Sequence, residues 1–199
     1  QLLSADINIV KSPKSYNSQI GVPLSVLNME PQNELAVFEA GISTVGEMEK
    51  LAEIIQPTIG VLTNIGTAHD AGFFSKEQKI QEKLRLFKNC KTLIYPDKYS
   101  IEKFPLRPDT NVISFGESEN ASIKIIHKTI KNKNTILTVE WRKDLPTHTL
   151  LTVPFTDEAS VENTLLCVMV MLQLGYTIEI IQQKIMTLRN LPMRLELKY

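Results

Sequence analysis

Two hydrophobic periods alternate along this chain. Leu35-Ala-Val-Phe38 and Thr58 to Leu62 are short apolar runs of the length of buried strands. Between them, Val45, Met48, Leu51, Ala52 and Ile55 recur at helical spacing and predict a helix over Thr44–Ile55, which Pro57 stops. Asp6 to Val10 alternates as a strand, and Gln19 to Asn28 reads as a helix with Pro23 in its first turn. Lys76 to Lys88 places Ile80, Leu84 and Phe87 on one face, with Ser75 as N-cap, and Thr92 to Tyr95 is the next strand. This alternation predicts an α/β fold with a mostly parallel, doubly wound sheet. Leu35 to Glu39 has no polar residue before its end, so it is expected to be central and covered on both faces.

Beyond Pro96 the period changes. Asn111 to Phe115, Ser122 to Ile130, Thr135 to Arg142 and His148 to Val153 read as strands, and the turn Lys131-Asn-Lys-Asn134 predicts a hairpin. An antiparallel subsheet over 111–153 is therefore expected within the domain. Two helices follow, Val161 to Leu174 with Gly175 as C-cap, and Ile178 to Leu188. Leu195 to Tyr199 reads as the beginning of a strand, and Gln1 to Ala5 as the end of a helix whose start is missing, so these residues are expected to be a piece of a longer protein.

Composition changes this picture little. Hydrophobic residues make up 43% and charged residues 22%, as in a soluble globular domain. Lys plus Arg equals Asp plus Glu, which argues against a general affinity for nucleic acid or anionic membrane. The longest apolar stretch, Leu165 to Leu172, is too short to span a bilayer. Cys90 and Cys167 lie far apart without a CxxC pattern, which fits a reduced, cytoplasmic protein.

The candidate chemistry sits at strand ends, where open α/β sheets gather ligands. One strand stops at Glu39-Ala-Gly41. The next stops in Thr63-Asn-Ile-Gly66 and then presents His69, and a helix carrying Lys83 follows. On residue type alone each group has an ordinary alternative. Glu39 could cap a helix, His69 could be a loop histidine, and Lys83 could be a solvated cation. His127 and His148 have no partner pattern and read as surface residues, and Trp141 reads as packing.

Taken in order, several short motifs resemble the central domain of the Mur ligase family, nearest to its MurF type, over nearly the whole length. Ser12-Pro13 followed by Asn17 is similar to that family's Thr-Pro-x-Asn-x-Asn loop, and Ile20-Gly-Val-Pro-Leu24 to its next segment. Ala36-Val-Phe-Glu-Ala-Gly41 resembles its strand ending in a metal-binding Glu, and Thr63-Asn-Ile-Gly-x-Ala-His69 the strand end that follows. Lys83 before Leu86-Phe87, Asn163, and Pro192-x-Arg194 match its lysine, its late Asn and its Pro-Gly-Arg. Two departures stand out. There is no G-x-x-x-x-G-K-[ST] phosphate loop, and the family's Gly-x-His-Asn reads Asp157-Glu-Ala-Ser160.

The resemblance implies ATP-driven amide formation in peptidoglycan precursor synthesis. D-Ala-D-Ala would join UDP-MurNAc-tripeptide through an acyl phosphate, with ATP and Mg²⁺ as cofactors. It implies that Glu39, His69 and Lys83 are the catalytic, metal-holding set, Lys83 acting as a carbamate. Asn163, Arg194 and Asp97 would contact the nucleotide, and Asn17 and Ser15 the nucleotide-sugar substrate. It also implies that the phosphate loop, an N-terminal UDP-sugar domain and a C-terminal domain lie outside these residues, so that the fragment alone is inactive. A neighbouring ligase type (MurE-like or folylpolyglutamate-like) and a non-catalytic Mur-like binding module are the alternatives. The residues do not distinguish a free-standing ligase from one fused to an alanine racemase.

Overall fold

The structure is a computed structural model that describes residues 1–13, 15–66, 72–101, 103–141 and 148–189. The elements run β1 (Ile9–Lys11), α1 (Gly21–Val26), β2 (Leu35–Val37), α2 (Glu47–Ile55), β3 (Ile59–Val61), α3 (Lys76–Arg85), β4 (Thr92–Pro96), β5 (Asn111–Gly116), β6 (Ile123–Lys131), β7 (Asn134–Trp141), β8 (Thr149–Val153), α4 (Glu158–Gln173) and α5 (Ile178–Ile185).

The main sheet has six strands in the order β3-β4-β5-β6-β7-β8. β4 shows why both its faces are covered. Successive side chains of a strand point to opposite faces, and every residue of β4 is buried. Leu93 and Tyr95 join Met48, Leu51, Leu84 and Phe87 under α2 and α3. Ile94 joins Leu137, Leu165, Met169 and Ile181 under α4 and α5. A strand apolar on both faces is stable only inside such a sandwich, so the mostly parallel, doubly wound reading holds.

Two expectations change. The antiparallel region was expected to begin at Asn111, but β5 pairs parallel with both β4 and β6. The chain between β4 and β5 spans residues 97–110, long enough to return to the start of the sheet, as parallel pairing requires. Among the described residues, antiparallel pairing is confined to β6, β7 and β8. β2 is not a central strand among the described residues. It pairs only with β1, and Val37 is half exposed. Near the chain start, the amides of Asp6 and Ile7 both donate to the Leu3 carbonyl, making a single turn. The expected strand beginning at Leu195 lies outside the described residues.

β2 and β3 are joined through α2 yet are not hydrogen-bonded to each other among the described residues. Each therefore keeps one unpaired edge, the pattern left by a crossover that skips one strand position. Among the described residues, no helix is long and apolar enough to cross a membrane.

Candidate active site at the strand ends

The loop after β1 is tied to the end of β2, beginning with the Ser12 amide, which donates to the Val37 carbonyl at 3.1 Å. The Glu39 amide donates to the Ser12 hydroxyl at 3.3 Å, and the Gly41 amide to the Asn17 carbonyl at 2.7 Å. Asn17 Nδ2 donates to Glu39 Oε1 at 2.9 Å. One Glu39 oxygen is thus oriented by an amide, and the carboxylate is exposed at the strand end.

Lys83 comes from the other side, on α3. Ser75 caps this helix by accepting the Gln78 amide at 3.1 Å, as the sequence predicts. Its far end is anchored where Phe87 lies on Gly60 of β3. A Cβ built on Gly60 would stand 2.5 Å from Phe87 Cδ1, so only glycine admits the ring there. Burial, and then the positive charge of Lys79, push the Lys83 amine below the ordinary lysine value, with the Glu39 carboxylate acting in the opposite sense. Lys83 thus feels a carboxylate from a separate strand–helix unit.

A cavity of about 460 Å³ opens between these units, lined in part by Asn17, Gln19, Ile42, Asn64, Lys79 and Lys83. Lys79 lies one helical turn before Lys83 and is only 3% exposed. Its ammonium donates to the Gly66 carbonyl at 2.7 Å, holding the loop after β3. Buried Glu82 accepts the Gly46 amide at 2.7 Å and pairs with Arg85 at 3.1 Å, fixing the start of α2 against α3. Neither Lys79 nor Glu82 was singled out in the sequence. The spacing of Lys79 from Lys83 was the available signal.

Of the other candidates, Ser15 sits in the turn beside this loop with φ 67° and is exposed. Asp97 stands at the end of β4, where Oδ2 accepts the Ser118 amide at 2.8 Å and the side chain packs against Gly116. The helix carrying Asn163 was expected to begin at Val161. Asn163 lies inside α4, which starts at Glu158 and is capped by Asp157 accepting the Ser160 amide at 2.9 Å. The departure Asp157-Glu-Ala-Ser160 therefore serves as a helix start here. An ion pair between Lys98 and Glu162 brings Asp97 and Asn163, one residue from each partner, to the same end of the sheet. His69 and Arg194 lie outside the described residues. Among the described residues, no group of three or more His, Cys, Asp or Glu gathers as a metal site.

The Mur ligase middle domain matches residues 1–171 of this chain. The chain therefore belongs to the Mur ligase family. A relative in Borreliella burgdorferi, a UDP-N-acetylmuramoyl-tripeptide–D-alanyl-D-alanine ligase, is 36% identical over 129 residues, covering 62% of this chain and 28% of the relative. An enzyme of the same name in Rickettsia prowazekii is 32% identical over 140 residues, covering 65% of this chain and 31% of its own length. The crystal structure of MurF ligase from Thermotoga maritima in complex with ADP superposes with a TM-score of 0.78 over 96% of this chain and 44% of that one, at 24% identity, and so shares the fold. The chain spans less than a third of the length of these two curated relatives.

Proposed function

We propose that this chain is the central part of an ATP-dependent ligase that joins D-Ala-D-Ala to UDP-MurNAc-tripeptide. The observation that carries the reading is the cavity that brings Asn17, the hydrogen-bond partner of Glu39, together with Lys83, in a chain of the Mur ligase family. The two relatives described above bear the name of that activity.

In this reading a carboxylate oxygen of the tripeptide attacks the γ-phosphorus of ATP. The bond from phosphorus to the ADP oxygen breaks, and an acyl phosphate forms. The amine of D-Ala-D-Ala then attacks the acyl carbon, loses a proton, and phosphate leaves. Phosphoryl transfer asks the protein chiefly for positioning and for charge against the spreading negative charge. Lys79 provides a cationic wall, and Asn17 and Asn64 line the same cavity.

Mg²⁺ takes hard oxygen ligands, and the exposed Glu39 carboxylate, held by Asn17, fits it. When bound, the ion would neutralise phosphate charge. We assign His69 and a carbamate of Lys83 to the same set. Carbamate formation needs a neutral amine, which the depressed Lys83 value favours. Asp97, Asn163 and Arg194 are assigned to the nucleotide, and Asn17 and Ser15 to the sugar-peptide substrate. The unpaired edges of β2 and β3 support one further parallel strand between them, which would carry the phosphate loop missing from these residues.

The test is ATP-dependent phosphate release by the full-length protein with UDP-MurNAc-tripeptide and D-Ala-D-Ala. Lys83→Ala is expected to abolish release, and a short-chain carboxylic acid to restore part of it. Release that ignores Lys83 would remove the lysine from the mechanism. A protein inactive with every amino acid and dipeptide would overturn the ligase reading.

A further inference from the structure

The Asn64 side chain is held in one orientation by a buried hydroxyl. Tyr99, 4% exposed, receives the Ile65 amide on its oxygen at 2.7 Å. Its single proton then goes to Asn64 Oδ1 at 2.9 Å. A phenol has one donor, and the opposite amide orientation would leave that buried O–H without an acceptor. Satisfaction of the hydroxyl therefore fixes which end of the amide is which. With Oδ1 committed to Tyr99, Nδ2 is the end left for the cavity that Asn64 lines with Lys79 and Lys83. Among the described residues, no hydrogen bond engages Nδ2. The backbone beneath is held too, by burial of Ile65 and by the Lys79 bond to Gly66.

We propose that Asn64 is a substrate-binding residue whose Nδ2 donates to an anionic oxygen in this cavity, and that Tyr99 is its positioning residue. The assignment rests on the ligase reading above for its substrates. The oxygen belongs either to the nucleotide phosphates or to the carboxylate being activated. A neutral donor aimed at such an oxygen strengthens as negative charge spreads, and because its orientation is set in advance it needs no rearrangement during the reaction.

Kinetics of the full-length protein test this. Asn64→Ala is expected to lower kcat/KM on the order of 10²-fold, and Asn64→Asp at least as far, because it sets a carboxylate against the anion. Tyr99→Phe keeps the ring but frees the amide, and is expected to lower kcat/KM several-fold. The double variant Asn64→Ala, Tyr99→Phe should be no worse than Asn64→Ala alone, which a merely structural tyrosine would not produce. A rise in the KM for ATP would assign the oxygen to the nucleotide, and a rise in the KM for the tripeptide to the carboxylate. Asn64→Ala within about twofold of wild type in every parameter, or strictly additive losses in the double variant, would overturn the proposal. If the wild-type protein proves inactive as a ligase, inorganic phosphate titrated into the 199-residue chain decides the matter by NMR. A saturable shift of the Asn64 side-chain amide pair supports the site, and an unmoved pair overturns it.

Discussion

Glu82 accepts the backbone amide of Gly46 at 2.7 Å while itself only 2% exposed. The contact joins the residue beside Lys83 to the first turn of α2, where the amides of a helix start have no partner within the helix. A second amide, that of Met48, lies 3.4 Å from the same oxygen. Removing the carboxylate would leave buried donors unpaired, which costs about 1–3 kcal/mol. Glu82→Ala is therefore expected to lower stability by about 2–3 kcal/mol, and Glu82→Gln, which keeps an acceptor, by less. Urea titration checks this, and equal losses for the two variants would show that charge, not the accepted amide, is what counts.

Lys83 gives a pH dependence of known sign. Its folded value is depressed by burial and by Lys79, against the pull of Glu39. The folded state then binds fewer protons than the unfolded chain between that depressed value and about 10.4. Stability rises with pH across this window. The penalty is complete below it and gone above it. Lys83→Met keeps the apolar stem and removes the titrating group. It is expected to raise stability at neutral pH, with the gain vanishing as pH climbs through the window. Urea midpoints at a series of pH values test this, and a gain independent of pH would sink the explanation.

Gly60 and Phe87 make a steric prediction. The ring lies where a Cβ on residue 60 would stand, 2.5 Å from Cδ1. Gly60→Ala must push Phe87 off β3 and shift the end of α3, at an expected cost of about 1–3 kcal/mol. Phe87→Leu in the same background should recover part of the loss. Thermal unfolding of both variants measures it, and a neutral Gly60→Ala would mean that the ring moves freely.

The layers were legible because they follow from periodicity. The apolar run Thr92–Tyr95 and the stripe Ile80, Leu84, Phe87 each admit one kind of element, and Ser75 marks where the helix starts. What periodicity does not carry is pairing. Leu35–Val37 reads as a central strand, yet its neighbours are set by where α2 returns the chain. The direction of β5 likewise depends on the path of residues 97–110 and not on its own pattern. At the candidate site, Glu39 and Lys83 were singled out by their motifs, while Tyr99 was not. Nothing local links it to Asn64, 35 residues earlier, and only the packed loop brings them together. Glu82 was hidden for the same reason, since a helical Glu normally reads as solvated.

The hairpin between β6 and β7 makes the last prediction. Lys131 pairs with Asn134, so the loop is two residues long, and both have positive φ, 51° at Asn132 and 62° at Lys133. This matches the turn type whose twist suits paired strands, and which favours Asn followed by Gly. Asn132 tolerates the left-handed region through its short polar side chain, but Lys133 sits there at a cost of about 1 kcal/mol. Lys133→Gly should remove that cost and raise stability by a similar amount, less the entropy glycine adds to the unfolded chain. Lys133→Ala should gain nothing, because it keeps the Cβ. Trp141 is the single tryptophan of the chain, buried at the far end of β7, where its Nε1 donates to Thr149 at 2.7 Å. Its fluorescence during thermal unfolding reports the change directly. A gain shared by the glycine and alanine variants would point to the lysine charge, in a turn that follows a strand already carrying Lys124, Lys128 and Lys131, and not to the backbone of the turn.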